Sequence, residues 1–301
     1  MKYLFIIIYF FLLQFLPGCL LADEYKIVVR AHHGIKASIR QWQATVDELN
    51  KKIPRHHFTL VPIRSLDLIT LAAGSGDIDF ILTNPSSFVE IEHFHNAKAL
   101  VTLNNKRGET AQARFGSVIF SKMSNKDITT LADIKGKSLI AVSKNAFGGW
   151  RVAWLELLAN GIDPFHDLKS VSYAIGKTQS EVVWSIVYGK ADVGVVRTDL
   201  LEGMIERGNI QRKDFRILNQ KKVKDFPFVL STKLYPEWAF SVMKHVSADI
   251  AQQVKDVLSS ITQKQKAAIA GRYTGWIEPS DYSEVHELMK RLKVGSFKYH
   301  E

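Results

Sequence analysis

Three short segments of this chain carry side chains suited to gripping an anion. The first is Ser143-Lys144-Asn145-Ala146-Phe147-Gly148-Gly149-Trp150, which runs into a helical pattern starting near Arg151. A glycine-containing loop at a helix start offers backbone N–H groups that have no carbonyl partner, and the helix dipole adds to their pull on negative charge. Asn145, Phe147, Gly148 and Gly149 are therefore candidate ligand contacts, although such loops also serve simply to turn the chain. The second is Arg197, at the end of an apolar run. Its guanidinium can hold an oxyanion through two parallel hydrogen bonds, or bridge to Asp192 or Asp199. The third is Asn84-Pro85-Ser86-Ser87, where Asn84, Ser86 and Ser87 offer donors and read equally well as a turn and helix cap.

Motifs for catalysis are missing. The sequence has no Gly-x-Ser-x-Gly elbow, no His-Glu-x-x-His helix and no Walker-type glycine loop. Glu92-His93-x-His95 and His56-His57 have a metal-like look, but a metal site needs three or four ligands with a supporting shell, and these histidines read as surface residues. The expectation is a binder, not an enzyme, with no cofactor and no metal.

The elements that must position these residues are legible from periodicity. Tyr25 to Arg30 is β-prone, His32-His33-Gly34 a turn, and Ala37 to Lys51 helical; Phe58 to Pro62, Leu66 to Ala73, Ile78 to Leu82 and Ser86 to His95 repeat the alternation. A second block runs Gly116–Ser121, Ser138–Val142, Arg151–Asn160, Ser170–Ala174, Gln179–Tyr188, Ala191–Val196, Leu200–Arg207 and Phe215–Asn219. Phe226 to Ser231 reads as an extended return segment, and the helical patterns 247–261, 263–271 and 282–292 as packing elements. Strands alternating with helices indicate βαβ units around mainly parallel sheets. In such sheets ligands sit beyond the carboxyl ends of strands, which directs attention to the loops 31–35, with His33, and 83–87.

Lys2 followed by an apolar run from Tyr3 to Leu16, then Pro17, Gly18 and small residues near Ala22, reads as a secretory signal over residues 1–22. Cleavage after Ala22 leaves an unanchored chain; lipidation of Cys19, the single cysteine of 301 residues, would tether it to a membrane. Either route places the protein in the periplasm without a disulfide. Forty Lys and Arg against 30 Asp and Glu give a net charge of +10. The basic residues are scattered, export argues against nucleic acid as a partner, and a positive field favours anionic ligands.

Gly76-Asp77-Ile78-Asp79-Phe80, Thr83-Asn84-Pro85, Leu131-Ala132-Asp133-Ile134-Lys135-Gly136-Lys137, Gly161-Ile162-Asp163-Pro164 and Gly189-Lys190-Ala191-Asp192-Val193-Gly194 together resemble the phosphate/phosphite/phosphonate-binding proteins of ABC transporters. Phe147-Gly148-Gly149-Trp150, Val196-Arg197-Thr198-Asp199 and Leu234-Tyr235-Pro236-Glu237-Trp238 look more like the branch that forms sensory domains of two-component histidine kinases, including tetrathionate-type sensors. The resemblance implies an α/β type II periplasmic-binding fold: two lobes, each with a mainly parallel central sheet flanked by helices, and a ligand cleft between them. Lobe one would comprise residues 24–115 plus 228–301, and lobe two residues 116–227. It also implies a small, anionic ligand and a partner that is an ABC permease or a membrane histidine kinase. Where the family has a Ser/Thr-rich loop this chain has Asn145-Ala146-Phe147-Gly148-Gly149, and where it has Gly-x-His-Asp this chain has Gly176-Lys177-Thr178-Gln179. Lys177, Thr178 and Gln179 thus join the candidate contacts, and the departure weakens specificity for phosphonate.

Overall fold

The computed structural model describes residues 23–31 and 34–299, so the expected signal segment with Cys19, and His32 and His33 of the first loop, lie outside the described residues. Among the described residues no helix is long and apolar enough to cross a membrane.

The chain opens with β1 (Glu24–Arg30), α1 (Ile35–Lys52), β2 (His57–Ile63), α2 (Leu66–Ser75), β3 (Phe80–Thr83), α3 (Pro85–His95) and β4 (Lys98–Arg107). β1 pairs in parallel with both β2 and β3, as helical crossovers between strands require. After β5 (Thr110–Gln112) come β6 (Arg114–Phe115), β7 (Ser117–Lys122), β8 (Ser138–Ala141), α4 (Val152–Ala159), β9 (Ser170–Tyr173), α5 (Gln179–Val187), β10 (Val193–Arg197), α6 (Leu200–Glu206) and β11 (Phe215–Leu218). The last part holds β12 (Tyr235–Pro236), β13 (Ala239–Val242), α7 (Ala248–Ser260), α8 (Lys266–Gly271), β14 (Tyr273–Ile277) and α9 (Ser283–Arg291).

Two main sheets result. The seven-stranded one has the order β14-β4-β13-β3-β1-β2, with β5 beside β4, and the five-stranded one the order β11-β7-β10-β8-β9. They share a plan. Each contains a strand antiparallel to both its neighbours just after a crossing segment: β13 between β3 and β4, and β7 between β10 and β11. Each such strand follows directly on a segment that crosses between the sheets, and the two crossing segments pair with each other, Tyr235 opposite Phe115 and Pro236 opposite Arg114.

Strand alternation distributes the core. Ile27, Val29 and Phe80 face Trp42, Val46 and Leu49 of α1 and Val254 and Leu258 of α7 on one side of the larger sheet. Val28 and Ile81 face Ile69 and Ile91 on the other. Each fully buried large side chain is worth roughly 1.5–3 kcal/mol of transfer free energy. A further apolar cluster bridges the sheets: Phe147 and Val152 pack with Phe115, Tyr235, Phe88 and the Val285-Leu288-Met289 face of α9.

Three differences from the sequence reading stand out. β4, β13 and β14 were not expected; Phe226–Ser231 belongs to no strand; and α8 starts at Lys266, because Gln265 turns its side chain back to accept the Thr262 N–H at 2.6 Å. The Phe147–Arg151 stretch is a π-helical turn that feeds α4, a local widening common at functional sites.

Candidate functional site

The anion-suited segments fold locally for clear reasons. Asn84 caps α3 by accepting the Ser87 N–H at 3.2 Å, and the Ser86 hydroxyl donates to Asn84 Oδ1 at 2.7 Å. Asn84 and Ser86 thereby satisfy one another, whereas Ser87 lines a cavity. Thr178 caps α5, accepting the Glu181 N–H at 3.4 Å, and Lys177 before it takes a left-handed backbone with φ 53°. Gln179 Oε1 accepts the Arg197 N–H at 3.0 Å, tying α5 to the end of β10.

In the glycine loop, Phe147, Gly148 and Gly149 are buried. A Cβ on Gly148 would meet the Phe115 ring at 2.6 Å, and one on Gly149 would meet Val142 at the same distance. These glycines let the loop press onto its sheet and the crossing ribbon. The Gly148 carbonyl accepts the Ser117 hydroxyl at 2.7 Å. Asn145 is turned toward Arg151, accepting from Nη2 at 3.1 Å.

Arg197 is engaged by acids. Nη2 lies 2.7 Å from Glu237 Oε1 and 3.2 Å from Asp199 Oδ2, and its guanidinium carbon sits 4.3 Å over the Phe115 ring. Arg107 joins the group, with Nε 3.1 Å from Asp199 and Nη2 3.9 Å from Glu237. Asp192 plays no part here; it accepts from Ser138 N and Oγ at 2.9 and 2.6 Å and fastens β10 to β8.

The structure brings Ser87 and Asn145 together with a residue that the sequence reading passed over. A cavity of about 940 Å³ is walled by Asp67, Thr70, Ser87, Glu90, residues 293–296 and Lys298 from the side of the larger sheet, and by Lys144, Asn145, Arg151 and aromatic side chains from the side of the smaller one. Arg151 is only 4 % exposed, and its Nε has no hydrogen-bond partner among the described residues. The indole N–H of Trp154, on the same wall, is likewise without one. Burial holds the Arg151 guanidinium below its usual pKa, with Glu90 at 3.7 Å working the other way. Burial raises the Glu90 carboxyl, opposed by Arg151. Arg30, at the carboxyl end of β1, is pushed down to about 10, first by burial and then by the like charge of Arg151. Two guanidinium groups lie close enough at strand and helix ends to repel each other, and the carboxylates of Glu90 and Asp67 stand beside them, so a negative ligand held near Arg151 would add to that compensation. A cation at a strand's carboxyl end was the available signal for Arg30; Arg151 was hidden as the nominal first residue of a helix.

Of the histidines with a metal-like look, His95 lies on the wall of this cavity, while the others do not line it. Glu92 pairs with His286 at 2.7 Å, and His56 approaches Asp23 at 3.5 Å. Among the described residues no group of three or more His, Cys, Asp or Glu side chains is placed to hold a metal ion.

Residues 35–284 match the family described as ABC transporter, phosphonate, periplasmic substrate-binding protein. The chain belongs to this family. Among individual relatives, it is 28 % identical over 273 residues to the tetrathionate sensor histidine kinase TtrS of Salmonella typhimurium, covering 90 % of this chain and 44 % of that protein. The chain thus spans less than half of that relative's length. Its fold is similar to XAC2383 from Xanthomonas citri, solved with ATP (TM-score 0.69, 16 % identity, 90 % of this chain and 98 % of that one). It is also similar to PhnD1 from Prochlorococcus marinus, solved with methylphosphonate (TM-score 0.67, 12 % identity, 90 % and 98 %). At these identities the likeness establishes architecture, and it is the expected type II periplasmic-binding fold. Members of this substrate-binding family are binding proteins, in line with the reading as a binder.

Proposed function

We propose that this substrate-binding protein captures a small oxyanion in the cavity between its two sheets and reports the occupied state to a membrane histidine kinase. The observation that carries the reading is Arg151: a buried guanidinium with an unpartnered Nε, on the wall of a cavity that both sheets line, beside Lys144, Asn145 and the neighbouring charge of Arg30. Charge-assisted hydrogen bonds to an oxyanion would satisfy it. Lobes bounded as 24–115 plus 228–301 and 116–227 would close about the β6–β12 ribbon, the motion by which such folds turn occupancy into a shape change. Export under the N-terminal signal, with or without a lipid at Cys19, would place the protein in the periplasm beside its partner.

Sensing is supported by the likeness to TtrS, which extends along 90 % of the chain, and it puts sulfur oxyanions first among ligands. Delivery to an ABC permease is the second reading, favoured by the family's own description. Of the residues singled out in the sequence, Ser87 and Asn145 remain proposed contacts at the cavity. Asn84, Ser86, Phe147, Gly148, Gly149, Lys177, Thr178 and Gln179 would act by shaping the loops around it.

The test is a thermal-shift titration of the purified chain with tetrathionate, sulfite, phosphate and methylphosphonate, repeated on Arg151→Gln. Saturation at a hundred times Kd stabilises by about 2.7 kcal/mol. A dose-dependent rise in Tm that Arg151→Gln abolishes supports the reading. A rise that persists in the variant, or none with any of the four anions, refutes it.

A further inference from the structure

A second cavity, of about 410 Å³, lies beside the crossing ribbon and shares no lining residue with the first. Four arginines line it: Arg40 on α1, Arg107 at the end of β4, Arg197 at the end of β10 and Arg272 just past α8. Gln41 and Asn105 add amide groups, and Trp42 and Trp238 add aromatic surface. No carboxylate is among the lining residues.

The nearby acids compensate only half of this charge. Asp199 and Glu237 each approach both Arg107 and Arg197. Arg40 and Arg272 are exposed, and no ion pair reaches either of them among the described residues. Four guanidinium groups against two carboxylates therefore leave two positive charges facing one concave space. Arg107 registers the crowding: burial and then the Arg197 and Arg272 cations hold its pKa down, against the pull of Asp199 and Glu237. Arg197 Nε is buried with no hydrogen-bond partner among the described residues. A concave wall of one charge sign focuses potential and concentrates counter-ions, and planar guanidinium forks match oxyanion geometry.

We propose that this cavity is a second anion site, taking a small, doubly charged oxyanion between Arg40 and Arg272 at its mouth and Arg107 and Arg197 at its base. An ion seated there links α1 and the end of α8, which belong with the larger sheet, to the end of β10 in the smaller one. Occupancy would thereby couple to the relative position of the two sheets. The inference does not depend on the first cavity being the ligand site.

The experiment is isothermal titration of sodium sulfate into the purified chain, with sodium chloride at matched ionic strength as reference. It is repeated on Arg40→Gln/Arg272→Gln and, separately, on Arg151→Gln. The paired substitution strands no buried acid, and both positions are exposed, so the fold should survive; circular dichroism checks this. Expected are sulfate binding to the parent, at least tenfold weaker sulfate binding in the paired variant, and retained sulfate binding in Arg151→Gln. An unchanged affinity in the paired variant, or no sulfate binding to the parent, overturns the proposal, as does complete loss in a folded Arg151→Gln protein. Failure of the first cavity as a ligand site is read separately, from the thermal shifts with tetrathionate and the other anions.

Discussion

Replacing Glu237 by Gln tests how the crossing region is held. The residue is 0 % exposed, its Oε1 receives Arg197 Nη2 at 2.7 Å and Arg107 Nη2 lies 3.9 Å away. Its backbone is fixed as well, the N–H donating to Ala113 at 2.8 Å and the carbonyl accepting the Tyr282 hydroxyl at 2.8 Å. Glutamine keeps the shape and removes the charge, so the loss isolates electrostatics. Breaking a buried pair costs about 3–5 kcal/mol. Asp199 stays 3.2 Å from Arg197 and 3.1 Å from Arg107, which places the expected loss near the bottom of that range, about 3 kcal/mol. For a domain of this size that is a fall in Tm of roughly 6–12 °C. The assay is thermal and urea unfolding followed by circular dichroism, with Arg197→Met and the double variant completing a cycle. Arg197→Met should cost less in the Glu237→Gln background than alone, since the two groups act together. A fall in Tm below about 2 °C with additive costs would show that Glu237 does not hold this region by charge.

Two further outcomes follow from the packing and the loops. Gly148→Ala should destabilise by about 1–3 kcal/mol through overpacking, because its Cβ would meet Phe115 at 2.6 Å and Arg197 Cβ at 3.1 Å; Phe115→Leu should recover part of that loss in urea unfolding, and an unaffected Gly148→Ala protein contradicts the packing account. Asp133 accepts from Thr129 N and Oγ1, both at 2.9 Å, and from Thr130 N at 2.7 Å, bonds that hold its carboxylate well below the usual range. A depressed folded pKa gives stability that is present above the ordinary value of about 3.9 and lost as pH falls through the folded value. The gap in urea midpoint between the parent and Asp133→Ala should therefore shrink from pH 7 to pH 3, and a gap independent of pH would count against it.

Most of the alternation was legible because β1 and β3 contain short apolar runs bounded by polar residues, and α1 buries residues at helical spacing. β4 escaped because Lys98–Arg107 includes Thr102, Asn104 and Asn105, whose polar side chains break the pattern while the backbone still pairs with β13 and β14. β13 has four residues and β14 carries Gly275, so neither is long enough to announce itself. The glycine loop was found for its shape, but its glycines are spent on close packing. The charged groups that set the field, Arg30, Arg151, Arg107 and Glu237, lie far apart in sequence and meet only through topology. Arg197 was visible as a cation with Asp199 as a possible partner, and its second acid, Glu237, depends on where the chain returns after β12.

The interleaving of β13 has a consequence for how the polypeptide is made. β3 and β4 are synthesised within the first 107 residues, yet the strand that lies between them begins at Ala239. The five-stranded sheet draws all its strands from Ser117 to Leu218, so it is complete while the larger sheet still waits with two open edges, the kind of surface that invites wrong pairing. The cavity walls finish later still, with Arg272 closing the second and residues 293–296 and Lys298 closing the first. A partly made chain can therefore be ordered in its middle and still be unable to hold an anion; competence for the first cavity waits until Lys298 has been made.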